Sequence, residues 1–120
     1  MAEHNDLGKL GEEIAAKHLI DKGFSIRAKN WRFGKDEIDI IAEKDNYLVI
    51  VEVKTRRSAI FGEPEIFVNT NKQRFLVRAT QAYIEKNNIE KEARFDIVSI
   101  ILNTNTKQIN HIEDAFYPVL

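Results

Sequence analysis

A chain of 120 residues, 43% hydrophobic and 31% charged, has the size and balance of one folded domain and not of a disordered segment. It has no cysteine, which excludes a disulfide scaffold, a thiolate metal site and a cysteine nucleophile, and fits a reducing, cytoplasmic setting. The net charge of −1 marks no general polyanion binder, the opening Met1-Ala2-Glu3-His4 shows no signal-peptide pattern, and no apolar run reaches the ~18 residues of a bilayer span, so no membrane partner is expected.

Residues 6–22 read as a helix, because Leu7, Leu10, Ile14, Ala15, His18 and Leu19 recur at helical spacing. Asn5 or Asp6 can cap its start, and Gly23 ends it. Gly8 and Gly11 each cost the helix roughly 1 kcal/mol against alanine. Three residues apart on one face, they invite close approach of another backbone or a ligand.

Strands are predicted over 24–29, 37–42 and 47–54, with Lys44-Asp45-Asn46 as turn material between the last two. The run Leu48-Val49-Ile50-Val51 is apolar on both faces, as in a central strand covered from both sides. Residues 55–71, with Gly62 and Pro64, form a long connection of the kind that often carries function. A second helix covers 71–87, with Phe75, Leu76, Ala79, Ala82 and Tyr83 as its apolar stripe and Thr70 and Gln73 resembling a capping box. Strands over 95–102 and 108–112 follow, joined by Asn103-Thr104-Asn105-Thr106. Without a repeat, a low-complexity tract or a linker, the order α-β-β-β-α-β-β describes one α/β domain over residues 1–120, a mixed central sheet flanked by helices.

The chemistry concentrates where charge enters the apolar strands. Side chains alternate along a strand, so Glu37, Asp39 and Ile41 share one face and Ile50, Glu52 and Lys54 share one face of the next strand. A hairpin centred on Asp45-Asn46 pairs 44 with 47, 39 with 52 and 37 with 54. Asp39 and Glu52 are then cross-strand neighbours with Cβ atoms ~5 Å apart, and Glu37 falls opposite Lys54. Two like charges side by side on an apolar sheet are destabilising, and a divalent cation between them resolves the conflict. A plain surface reading, exposed ion pairs worth under ~1 kcal/mol each, stands beside it. From Val53 to Thr80 the bases Lys54, Arg56, Arg57, Lys72, Arg74 and Arg78 face only Glu63 and Glu65, a balance that would draw phosphates toward the acids or simply solvate a loop and a helix.

Asp39 followed after a hairpin by Glu52-Val53-Lys54 resembles the D…(D/E)-x-K signature of the PD-(D/E)XK nuclease superfamily. A fuller resemblance is to the small bacterial YraN-like family of endonuclease-like proteins. It rests on Gly8-x-x-Gly11-Glu12-x-x-Ala15, Asn30-Trp31-Arg32, Glu37-Ile38-Asp39, Val51-Glu52-Val53-Lys54-Thr55-Arg56, Lys72, Arg94-Phe95-Asp96, His111-Ile112 and Ala115-Phe116. Asp36 departs from it, standing where that family usually has glycine.

The resemblance implies a restriction-endonuclease-like α-β-β-β-α-β core and a metal-dependent endonuclease that hydrolyses phosphodiesters in DNA, in preference to RNA, with branched DNA as one substrate. It implies Asp39 and Glu52 as ligands of Mg²⁺ or Mn²⁺, with the Val53 carbonyl completing the shell. Lys54 would orient the attacking water and stabilise phosphate charge, and Glu12 would orient a water or join the metal shell. Arg56, Lys72 and Gln73 are candidates for nucleic-acid contacts. Cutting two strands would suit a homodimer. The alternative is a nucleic-acid-binding module on the same fold without turnover. Trp31 reads as packing more readily than as a base-stacking platform, and His18 as a core histidine.

Overall fold

The computed structural model describes residues 2–58 and 66–117, so Gly62, Glu63, Pro64 and Glu65 of the long connection lie outside the described residues. The elements run α1 (Ala2–Asp21), β1 (Ser25–Phe33), β2 (Asp36–Lys44), β3 (Tyr47–Arg56), α2 (Thr70–Asn87), β4 (Glu92–Leu102) and β5 (Lys107–Ile112). The expected α-β-β-β-α-β-β order holds. Among the described residues no helix is long and apolar enough to cross a membrane.

Helix α1 starts at Ala2, so Asn5 and Asp6 lie inside the helix and not at its cap. Its end is as expected: Gly23 takes φ 94°, Gly23 N–H donates to Ile20 O at 3.0 Å and Phe24 N–H to Leu19 O at 2.9 Å. That double closure needs a left-handed residue, which glycine supplies at no steric cost. Helix α2 is capped by Asn69, not by Thr70: Asn69 Oδ1 accepts the Lys72 N–H at 2.8 Å. Gln73 does not reach back as a capping box requires, and its side-chain amide donates to Val68 O at 2.7 Å.

The strands form one sheet in the order β1-β2-β3-β4-β5, antiparallel except for the parallel β3–β4 pair that α2 connects. β3 is central, and its side chains divide cleanly. Val49 and Val51 pack toward α1 with Ala15, Ala16, Leu19, Ile40 and Ala42, while Leu48 and Ile50 pack toward α2 with Phe75, Leu76, Ala79 and Tyr83. Trp31 belongs to the α2 side, edge-on to Tyr83 at 5.2 Å and stacked with Phe33, so it packs the core. The β1–β2 turn takes its left-handed residue from Gly34, at φ 65°, and Asp36 is already paired with Phe33.

Gly11 is required by packing. A Cβ there would overlap Thr55 Oγ1 and stand 2.8 Å from Thr55 Cβ and Cγ2, whereas Gly8 faces open space. The expected close approach at this glycine pair is thus a β3 side chain against Gly11.

Asp96, fully buried on β4, is fully engaged: Arg94 holds it through two bonds of 2.9 and 2.8 Å, His111 through one of 2.8 Å and the Asp114 N–H through one of 3.0 Å. His111 in turn meets His18 at 3.2 Å. Burial alone would raise the Asp96 carboxyl; these donors hold it below its ordinary value. The cluster ties α1, β4 and β5 together.

Candidate functional site

The β2–β3 ladder follows the register set by the Asp45-Asn46 turn, from Lys44↔Tyr47 to Ile40↔Val51, and its regular pairing ends there. Beyond that point Asp39 Oδ2 accepts the Val53 N–H at 2.8 Å, a carboxylate standing where the ladder would continue. Asp39 and Glu52 follow directly on the last regular pair and both line one cleft, although the ladder itself does not pair them. Glu37 does not face Lys54: it pairs with Arg32 on β1 at 3.7 Å and accepts from Asn30 at 3.0 Å.

Strict alternation along β2 also fails. Ile40 and Ala42 point to α1, yet Ile38 and Ile41 both pack on the α2 side. The β1 partner breaks in the same place, where Ala28 and Trp31 both pack on the α2 side and Asn30 between them takes φ 51°. Pairing runs from Lys29↔Ile40 to Trp31↔Ile38, leaving Asn30 and Asp39 as the unpaired step. Asp39 consequently opens, apart from Ile41, onto a cleft of about 310 Å³ beneath α1, lined by Leu7, Gly8, Glu12, Asp39, Glu52, Val53 and Thr55.

The electrostatics of this cleft disfavour charge on both carboxylates. Burial, then the charge of Glu52, pushes Asp39 up to about 7, against one opposing bond from Val53 N–H. Burial also raises Glu52, with Lys72 and Lys54 pulling it back, and Glu12 adds to the repulsion on both. Glu52 Oε1 is buried and has no hydrogen-bond donor among the described residues. An acceptor left so costs about 1–3 kcal/mol or more when charged.

Two carboxylates, with Glu12 at the rim, are the kind of oxygen ligands a hard divalent cation takes. Among the described residues no three Asp, Glu or His side chains converge closely enough to hold a metal alone.

Glu52 also lines a second, smaller cleft of about 200 Å³ with Lys54, Phe67, Val68, Asn69 and Lys72. Lys54 Nζ donates to the Phe67 carbonyl there. Lys72 reaches from the first turn of α2 to Asp36 at 3.3 Å and to Glu52 at 3.9 Å. Of the residues expected to meet nucleic acid, Lys72 is thus engaged with the carboxylates, Gln73 braces the approach to α2, and Arg56 ends β3 half-buried. Arg57 lines an apolar groove with Leu7, Leu10 and Leu102, next to the carboxylate cleft.

The sequence reading gave Asn30 no role. Its side-chain amide donates to Glu12 at 2.9 Å and to Glu37 at 3.0 Å. The available signal was an asparagine inside a strand, a residue that tolerates left-handed backbone. The His18–His111 contact left no signal, since 93 residues separate the partners.

Residues 11–100 match the model described as "Uncharacterised protein family UPF0102". A UPF0102 protein of Flavobacterium psychrophilum is 52% identical over 117 residues, covering 98% of both chains. One of Phocaeicola vulgatus is 50% identical over 118 residues, again 98% of both. One of Bacteroides thetaiotaomicron is 48% identical over 120 residues, 100% of this chain and 99% of the relative.

Proposed function

This chain belongs to the uncharacterised protein family UPF0102, and from its site we propose that it is a metal-dependent endonuclease of the PD-(D/E)XK kind, hydrolysing phosphodiester bonds in DNA. One observation carries the reading. Two half-buried carboxylates, Asp39 and Glu52, line one cleft at the end of a paired hairpin, with their pKa values raised and one oxygen, Glu52 Oε1, buried and lacking a donor among the described residues. A fold that keeps such a pair has a use for it, because apolar residues would be cheaper.

In this reading Asp39 and Glu52 bind Mg²⁺ or Mn²⁺, with the Val53 carbonyl as a further ligand. The bound ion supplies a positive centre for a phosphate oxygen and acidifies a water. Lys54, beside Glu52 in the second cleft, holds charge on the phosphate. Glu12, at the rim, accepts a proton or a hydrogen bond from the attacking water. Arg56 and Lys72 draw the phosphate backbone toward the acids. The substrate is DNA in preference to RNA, with branched DNA included, and a homodimer acting in the cytoplasm would cut both strands.

The second reading, a nucleic-acid-binding module without turnover, is favoured by Lys72, whose ammonium already stands beside Glu52. Calorimetric titration with Mn²⁺ separates the two. Binding by the wild type that is lost in Asp39→Asn/Glu52→Gln supports the metal site and leads to cleavage assays on linear and branched DNA. No binding by the wild type, even with DNA present to supply phosphate ligands, transfers the case to the binding module.

A further inference from the structure

Asn30 combines two features that are rarely found together inside a strand. Its backbone is left-handed, at φ 51°, and its side-chain amide bonds two carboxylates from two other elements, Glu12 of α1 at 2.9 Å and Glu37 of β2 at 3.0 Å. It stands at the unpaired step opposite Asp39, where β1 and β2 lose their alternation together.

We propose that Asn30 is a positioning residue of the carboxylate cleft: its backbone turns Asp39 toward α1, and its amide holds Glu12 at the rim. The inference rests on reading the cleft as a cation site and adds a residue to it. The chemistry selects asparagine. Only glycine, asparagine and aspartate enter the left-handed region with ease. Glycine has no side chain to hold Glu12. Aspartate would present an acceptor to two acceptors and add a negative charge. The asparagine –NH₂ has two hydrogens, one for each carboxylate. A glutamate on a helix surface otherwise samples many rotamers, and fixing it has an entropic cost. Asn30 meets that cost during folding, so Glu12 is already aimed when a ligand arrives.

A clamp that only fastened α1 to the sheet would leave cation affinity unchanged, and that difference is measurable. Mn²⁺ affinity is read by calorimetry for the wild type, Asn30→Gly, Glu12→Ala and the double variant. Asn30→Gly keeps the left-handed backbone and removes the amide. It should weaken Mn²⁺ binding about 10-fold, the order seen for groups that orient metal ligands. Once Glu12 is alanine, Asn30→Gly should add about twofold or less, because the tether has nothing to hold. Wild-type binding with Asn30→Gly unchanged, or with effects that simply add, overturns the positioning role and leaves the metal site standing. A wild type that binds no Mn²⁺ overturns both. Should Asn30→Gly fail to fold, the wild type itself answers: its Asn30 side-chain amide resonance should shift on Mg²⁺ addition, and a fixed resonance sinks the proposal.

Discussion

Glu52 Oε1 lies 3.9 Å from Lys72 Nζ, within ion-pair range and beyond hydrogen-bond range. Lys72 simultaneously holds Asp36 at 3.3 Å and covers the Phe75 ring, so its ammonium is anchored between the α2 start and the acidic cleft. It therefore acts as the resident counter-ion of a carboxyl whose pKa burial pushes up and Lys72 pulls back.

Lys72→Gln should separate two affinities. Removing a cation beside Glu52 leaves a partly buried charge less compensated, so stability at pH 7 should fall by about 1–2 kcal/mol. Mn²⁺ should bind more tightly, because a competing positive charge is gone, and the salt slope of DNA binding should drop by about 1. Urea unfolding, calorimetry and a salt titration give the three readouts. Weaker Mn²⁺ binding would show that Lys72 does not compete for the cleft.

Asp39 gives the metal-free chain an unusual pH profile. Its folded pKa is raised to about 7 from an ordinary 3.8, so the protonated form is favoured in the native state. Its stabilising contribution is complete below about pH 4 and is lost as pH rises through 7, a loss of about 2–4 kcal/mol. Asp96 has the opposite sign: its lowered pKa gives stability that is present above the ordinary carboxylate value and disappears as pH falls through the folded value. Metal-free stability should therefore peak in mildly acidic solution. Divalent cation should shift the peak upward, since the metal requires ionised Asp39. A denaturation series from pH 4 to 8.5, with and without Mn²⁺, checks both signs.

Asp39→Asn should abolish divalent binding while raising metal-free stability above pH 7 by about 1–3 kcal/mol. An amide is neutral there and its oxygen still accepts the Val53 N–H now bound by Asp39. Loss of both binding and stability would mark Asp39 as structural.

The two glycines of α1 should diverge. Gly11→Ala drives a methyl into Thr55 and should cost about 1–3 kcal/mol. Gly8→Ala meets open space and should gain up to about 1 kcal/mol. Because Gly8 lines the carboxylate cleft, that variant also tests how much room a ligand needs: unchanged Mn²⁺ binding with weakened DNA binding would put a phosphate beside the helix.

His111→Ala should destabilise the chain by about 3 kcal/mol or more, since it removes a donor from a fully buried carboxylate. The loss should be largest at neutral pH, where Asp96 is ionised, and should shrink as acid protonates it. A loss that stays the same as acid takes Asp96 through its folded pKa, below the ordinary carboxylate value, would mean that packing, not charge, explains the residue.

The order of the elements and the pairing of β2 with β3 were legible from local sequence rules. Apolar periods of 2 and 3.6, the stop at Gly23 and the tight turn at Asp45-Asn46 act over a few residues, and the turn fixes the register as far as Ile40↔Val51, the pair next to Asp39 and Glu52. Tertiary structure alone decided what those local rules do not encode. Asn69 caps α2 in place of Thr70 because cap geometry depends on how the chain arrives at the helix. Glu37 joins Arg32 and Asn30 because β1 stays beside β2 where the regular β3 pairing has ended. Lys72 reaches Asp36 and Glu52 because α2 crosses the face opposite α1. The broken alternation at Asn30 and Asp39 has the same origin. A left-handed step leaves no periodic trace, and its consequence, a carboxylate turned beneath α1, exists only once two strands and a helix have packed together.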